Sequence, residues 1–147
     1  MLDIEEFKKK LDKKSRLMGI DPGRKRIGIA ISDENKIIAT PYTTLVKNKY
    51  SEFVKEIIKI FKENQIKGIV VGNPINMDGS SSQSSQSAKD LAINLSKDVT
   101  KNVTLWDERL SSQGAFNLSN DLASNTSKKI SKLDENSAQF ILQGALD

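Results

Sequence analysis

The chain contains no cysteine and no histidine. Without cysteine there is no disulfide, no thiolate zinc site and no cysteine nucleophile, and the composition suits a reducing compartment. Without histidine there is no Ser-His-Asp triad, no imidazole base and no imidazole metal ligand. Any catalysis must run on carboxylates, lysines, hydroxyls and bound metal. Long apolar runs are also missing, and all fall far short of the ~20 residues that a spanning helix needs. Residues 1–16 are acidic and lysine-rich, unlike a signal peptide. The sequence therefore predicts a soluble, cytoplasmic protein with no membrane partner.

What is present fits one domain of ordinary size: 147 residues, 37% of them hydrophobic and arranged in periodic runs. The net charge is +4 and the pI about 9.2. A mildly basic chain suits phosphate backbones, although a general richness in lysine would give the same figure.

Ile4, Phe7 and Leu11 recur at helical spacing among lysines. They predict a short amphipathic helix within residues 2–14, an extension (1–15) ahead of a domain at 16–147. Residues 16–20 form a short apolar strand ending at Asp21. Ile27, Ile29 and Ile31 alternate with Gly28, Ala30 and Ser32 in a second strand, and residues 37–40 return as a third, completing a meander. Phe53, Ile57, Ile60 and Phe61 mark a helix over 51–64. Gly68-Ile-Val-Val-Gly72 reads as a strand buried on both faces. The serine-rich stretch 80–87 resembles a linker, but Ser80 with Gln83 makes a capping box and Ala88, Leu91, Ala92 and Leu95 continue a helical stripe. Residues 102–107 are the next strand. Residues 112–123 read as helical, 119–132 as a mobile polar loop, and 134–146 as a last helix. The order β-β-β-α-β-α-β-α-α predicts an α/β fold, a mixed five-stranded sheet with helices on both faces, which is the element order of the ribonuclease H-like fold.

Three places carry candidate chemistry, and each has a plainer alternative. Asp21 ends a central strand just before Pro22-Gly23, where Gly23 and Gly28 let the backbone and a ligand come close, but aspartate also caps turns. Asp107 and Glu108 end a second strand; neighbours on a strand face opposite ways, so only one can share a site with Asp21. Asp134 opens the last helix in phase with Ala138, Ile141 and Ala145, yet an acid in a first turn also complements the helix dipole. Together, three acids at strand ends and on an inward helix face suit a hard cation with oxygen ligands, Mg²⁺ or Mn²⁺. Two such ions can align water on a phosphodiester. Arg24, Arg26, Arg109, Lys128 and Lys129 are candidate contacts to a nucleic-acid backbone. The loop 71–80, with Asn76 in it, precedes a helix start and could bind phosphate.

Four segments then align with a known pattern: Gly-Ile-Asp-Pro-Gly-Arg-Lys-Arg-Ile-Gly-Ile-Ala-Ile-Ser-Asp (19–33), Val-Val-Gly-Asn-Pro-Ile-Asn-Met-Asp-Gly (70–79), Asp-Glu-Arg-Leu-Ser (107–111) and Lys-Leu-Asp-Glu-Asn-Ser-Ala (132–138). Over about residues 17–147 the chain resembles the YqgF family, also called RuvX, the Holliday-junction-resolvase-like proteins assigned as pre-16S ribosomal RNA nucleases. The resemblance implies a ribonuclease H-like fold, trimming of the 5′ end of precursor 16S RNA in the cytoplasm, and a divalent-metal site at Asp21, Glu108 and Asp134. The chain departs from the pattern at Asn73, where the family usually has an apolar residue. It also has a thinner basic cluster at Lys128, Lys129 and Lys132. Expected partners are precursor rRNA or branched DNA, with the protein a monomer or weak dimer. The rival readings are an actin-like ATPase, for which a second enclosing domain is missing, a non-catalytic RNA-binding module, and a true junction resolvase.

Overall fold

The period-two alternation of residues 16–46 folds as an antiparallel meander. The computed structural model describes residues 1–23, 25–74, 83–107 and 126–147, with side chains in the last two segments described from 85 and from 136. A short helix α1 (Ile4–Lys9) precedes the meander strands β1 (Arg16–Pro22), β2 (Arg26–Ser32) and β3 (Ala39–Val46). They are followed by α2 (Tyr50–Glu63), β4 (Ile66–Asn73), α3 (Gln83–Asp98), β5 (Val103–Asp107) and α4 (Thr126–Leu146). The strands form one sheet in the order β3-β2-β1-β4-β5. β1 is antiparallel to β2, and β2 to β3, whereas β1, β4 and β5 run parallel. This is the mixed five-stranded sheet expected from the sequence.

Alternation along each strand sorts the side chains between two cores. Met18, Ile20, Ile29, Ile69, Val71 and Val103 pack with Phe53, Ile57 and Ile60 of α2 and Ala92 and Leu95 of α3. On the opposite face, Leu17, Ala30 and Val70 pack with Ala138, Ile141, Leu142 and Ala145 of α4. Helices therefore cover both faces, as the element order predicts. On the α4 face, glycine permits close approach: a Cβ on Gly19 would lie 2.7 Å from Leu142 Cβ and 3.0 Å from the Ala138 carbonyl oxygen. Two glutamines fix the far part of α4. The Ala39 N–H donates to Gln143 Oε1 at 2.8 Å, Gln143 Nε2 donates to the Ile37 carbonyl at 2.8 Å, and Gln139 Nε2 donates to the Ala39 carbonyl at 3.0 Å.

Three boundaries differ from the sequence reading. β3 starts at Ala39, not Ile37, because Asp33 Oδ1 accepts the backbone N–H groups of Ile37 and Ile38, each at 2.8 Å, and holds both in the turn. α4 starts at Thr126, eight residues before Asp134, so 126–132 is helical rather than part of a mobile loop. Its lysines and isoleucine are compatible with a helix; the segment 112–123 lies outside the described residues. The N-terminal helix is shorter than 2–14 but firmly seated. Asp3 Oδ1 caps it by accepting the Glu6 N–H at 2.8 Å. Phe7 is 1% exposed, in the core shared with Leu17, Val70 and α4. The Leu2 N–H donates to the Val103 carbonyl at 2.8 Å, so the extension also touches the β5 edge.

Candidate active site

The parallel strands β1, β4 and β5 end together, at Pro22, Asn73 and Asp107. From β1 the chain goes to one side of the sheet through β2 and β3, and later to the other side through β4 and β5. The carboxyl ends beside such a reversal of strand order form a crevice that ligands occupy in open α/β sheets. Asp21 stands there. It shares the parity of Leu17 and Gly19, so it belongs to the face covered by α4.

The register sets what stands beside this carboxylate. Asp21 pairs across β1–β2 with Gly28. On the other side Ile20 pairs with Val71, which brings Gly72 beside Asp21 one residue on. Both lateral neighbours in the sheet therefore lack a side chain that would crowd the acid. Gly28 was recognisable in the sequence as a point of close approach. Gly72 read only as the end of an apolar run, and the parallel register that brings it to Asp21 leaves no local sequence signal.

Just beyond, the Gly23 N–H donates to the Asp21 carbonyl at 3.0 Å, turning the chain sharply after the acid. The mouth of β4 is pinned by a buried pair, Ser85 Oγ donating to Asn73 Oδ1 at 2.7 Å. Asn73 is thus matched by a hydroxyl on α3, the kind of partner a buried amide requires.

The other predicted site residues fall as follows. On β5, Trp106 joins the α4-side core, and Val103 and Leu105 join the opposite one. Asp107 has the parity of Val103 and Leu105, opposite to that of Asp21. Glu108 and Arg109 lie outside the described residues, as do Arg24 and Asn76. Asp134, Lys128 and Lys129 lie on α4, with their side chains outside the described residues. Arg26 opens β2 with the parity of Gly28 and Ala30, on the face that Asp21 occupies. Among the described residues no cluster of three metal-ligating side chains occurs, and no helix is long and apolar enough to cross a membrane.

Residues 15–147 match the RuvX family, described as Holliday junction resolvase. The chain belongs to that family. Its relatives include proteins named "Putative pre-16S rRNA nuclease" from Pelagibacter ubique and from Gluconacetobacter diazotrophicus. The first is 52% identical over all of this chain and 97% of the relative, the second 37% over all of this chain and 96% of the relative. Among solved structures, T. thermophilus RuvC in complex with Holliday junction substrate superposes with a TM-score of 0.52 at 9% identity, covering 88% of this chain and 91% of the other. That likeness establishes the ribonuclease H-like fold of this RuvX-family chain.

Proposed function

We propose that this RuvX-family chain is a divalent-metal-dependent nuclease that processes the 5′ end of precursor 16S rRNA in the cytoplasm, as a monomer or weak dimer, with residues 1–15 a docked extension of the nuclease domain at 16–147. The observation that carries the reading is Asp21: a carboxylate at the carboxyl end of the central strand, with glycine on both sides. An acid between two glycines at a strand end is suited to an oxygen-liganded cation, and the absence of histidine and cysteine leaves carboxylates as the natural ligands. Mg²⁺ or Mn²⁺ bound there would polarise the phosphodiester and supply an activated water.

Glu108 and Asp134 are the proposed partners of Asp21. Strand alternation supports Glu108 over Asp107, since Asp107 has the parity opposite to that of Asp21 and continued alternation would bring the next residue to the Asp21 face. For Asp134 the support is the path of α4. Ala138 and Leu142 lie over Gly19, and Gln143 reaches back to Ile37 and Ala39 near the opposite end of the sheet. Moving four residues toward the helix N-terminus covers about 6 Å, and moving from Gly19 to Asp21 covers about the same distance in the same sense. The acids would hold the cation and orient the attacked phosphate. Arg24, Arg26, Asn76, Arg109, Lys128 and Lys129 would bind the backbone. The names of the curated relatives support RNA as the substrate.

The test is cleavage, with Mg²⁺ or Mn²⁺ and with chelator, of a precursor-rRNA 5′ fragment and a four-way DNA junction. We expect metal-dependent cleavage of the RNA and its loss by orders of magnitude in a folded Asp21→Asn protein. Preference for the junction would overturn the substrate assignment, and full activity of Asp21→Asn would overturn the mechanism.

A further inference from the structure

On the sheet face away from α4, a cleft of about 260 Å³ opens beside the turn that follows Asp21. Its walls include Pro22 and Gly23 from that turn, Lys47 and Asn48 from the loop before α2, Tyr50 from the first turn of α2, and Asn94 from α3. We propose that this cleft receives one unpaired base of the substrate strand, flanking the bond that is cut, so that the protein acts on single-stranded nucleic acid. The inference rests on the nuclease reading for its substrate and goes beyond it in naming a subsite and a strand state.

Four features give the cleft that chemistry. The Tyr50 ring is fixed: its hydroxyl donates to Asp98 Oδ2 at 2.7 Å, and it meets Phe53 edge-on with centroids 6.4 Å apart. A ring held this way offers a stacking surface at little entropic cost. The hydroxyl stays protonated, because burial and the Asp98 carboxylate push its pKa well above the usual tyrosine value. Next, Asn48 and Asn94 are exposed on the cleft wall, and each amide carries both a donor and an acceptor. The Watson–Crick edge of a base can pair with such groups only when it is not already paired to a complementary strand.

The third feature is electrostatic. Lys47 and Asp90 both line the cleft, with Gln86 Nε2 donating to Asp90 Oδ1 at 3.0 Å, and α2, a helix of fourteen residues, begins there with no side-chain cap on its first N–H groups. Lys47 and the uncapped helix start favour the phosphate attached to the base, against the opposing charge of Asp90. The fourth is continuity. The Lys47 N–H donates to the Lys25 carbonyl at 2.9 Å, tying the wall of the cleft to the turn after Asp21. A strand passing over the Pro22-Gly23 rim would present a phosphate to Asp21 on one face and a neighbouring base to Tyr50 on the other. A duplex, whose bases are stacked inward, cannot make that second contact without unpairing.

The experiment measures binding in chelator, where no cleavage occurs, by fluorescence anisotropy. The probes are a fluorescein-labelled RNA oligonucleotide, the same oligonucleotide annealed to its complement, a series with one abasic position each, and a DNA strand of the same sequence. The proteins are wild type, Tyr50→Leu and Asn94→Ala; the second variant changes an exposed helix position and guards against misfolding of the first. Removing a stacking platform should weaken single-strand binding about five- to hundredfold. Duplex binding should be little changed, and one abasic position should erase the difference between wild type and variant. If both folded variants bind the single strand as wild type does, or lose single strand and duplex equally, the base subsite is wrong. Equal loss on RNA and DNA would keep the base subsite but remove any role in choosing RNA. Cleavage in Mg²⁺ with both variants binding normally would leave the nuclease reading standing and sink this one. Binding that depends on Tyr50 and Asn94 in a protein that cleaves nothing would do the reverse.

Discussion

Gly19→Ala is the most informative small change the structure offers. In an exposed or roomy strand this substitution would stabilise by ~0.5–1 kcal/mol, because glycine loses more conformational freedom on folding. Here the added methyl would sit 2.7 Å from Leu142 Cβ and 3.0 Å from the Ala138 carbonyl oxygen. Neither is the end of a flexible side chain that can swing aside. Carbon atoms settle at about 3.5–4.0 Å, so α4 must retreat by roughly 1 Å. Overpacking of this kind costs ~1–3 kcal/mol, which for a domain of this size lowers Tm by roughly 2–12 °C. The larger consequence concerns the site. Asp21 is two residues along the same strand, and Asp134 is one helical turn above Ala138, so a shift between strand and helix changes their separation. Misplacement by about 1 Å can cost about a hundredfold in rate. Thermal unfolding and metal-dependent cleavage of the same preparation measure both effects. Gly68→Ala serves as the control. Its methyl would meet the Phe7 ring edge at 2.8 Å, at the opposite end of the sheet, where the ring can tilt. It should lower stability with little change in rate. If Gly19→Ala is as stable and as active as wild type, the tight β1–α4 contact does not set the site, and the argument for Asp134 loses its support.

Further outcomes follow from the same geometry. Glu108→Gln should abolish cleavage while Asp107→Asn retains most of it, since parity puts Asp107 on the face away from Asp21; the reverse ranking would exchange their roles. Phe7→Ala, or removal of residues 1–14, should lower Tm by several degrees, because burying that ring contributes ~1.5–3 kcal/mol, yet leave cleavage intact below the new Tm; loss of cleavage in the folded truncation would give the extension a part in substrate binding. Asp33 is held below the usual carboxylate range by the N–H groups of Ile38 and Ile37. Its folded pKa is depressed, so its contribution is present above the unfolded value of about 3.9 and is lost as the pH falls through the folded value. A carboxyl NMR titration should find Asp33 below ordinary aspartates, and Asp33→Asn should flatten the acid side of the stability profile.

Much of this fold was legible because its signals are local. The isoleucine alternation at 27–31 and the stripe through Phe53, Ile57 and Ile60 each decide an element from within one window, and both appear where expected. The start of β3 was not legible in that way, since it depends on a side-chain oxygen of Asp33 capturing two N–H groups that would otherwise join the ladder. The start of α4 was missed for the opposite reason: a polar helix turn carries no apolar period to distinguish it from a loop. The acid at Asp21 could be chosen from the sequence, but its second glycine neighbour could not, because Gly72 reaches it only through the parallel register of β1 and β4.

Under the proposed site, the packing of α4 would also explain how the protein holds like charges together before any cation arrives. Carboxylates gathered at one strand end repel one another, and the repulsion opposes folding unless something else fixes the elements that carry them. The opposing force lies lower on the same face. Ala138, Ile141, Leu142 and Ala145 are buried against the sheet, and Gln139 and Gln143 clamp α4 to the start of β3. Each buried apolar residue larger than alanine contributes ~1.5–3 kcal/mol, while two charges 4 Å apart near a surface repel by ~4 kcal/mol at an effective dielectric of 20. Ile141 and Leu142 together are therefore of the size needed to offset one such pair. The division of labour is written along β1 itself: Leu17 packs, Gly19 admits the helix, and Asp21 emerges at the end where packing gives way to the crevice. Under the proposed site, α4 is anchored by its second half so that its first half can carry an acid to a place where the acid alone would not stay.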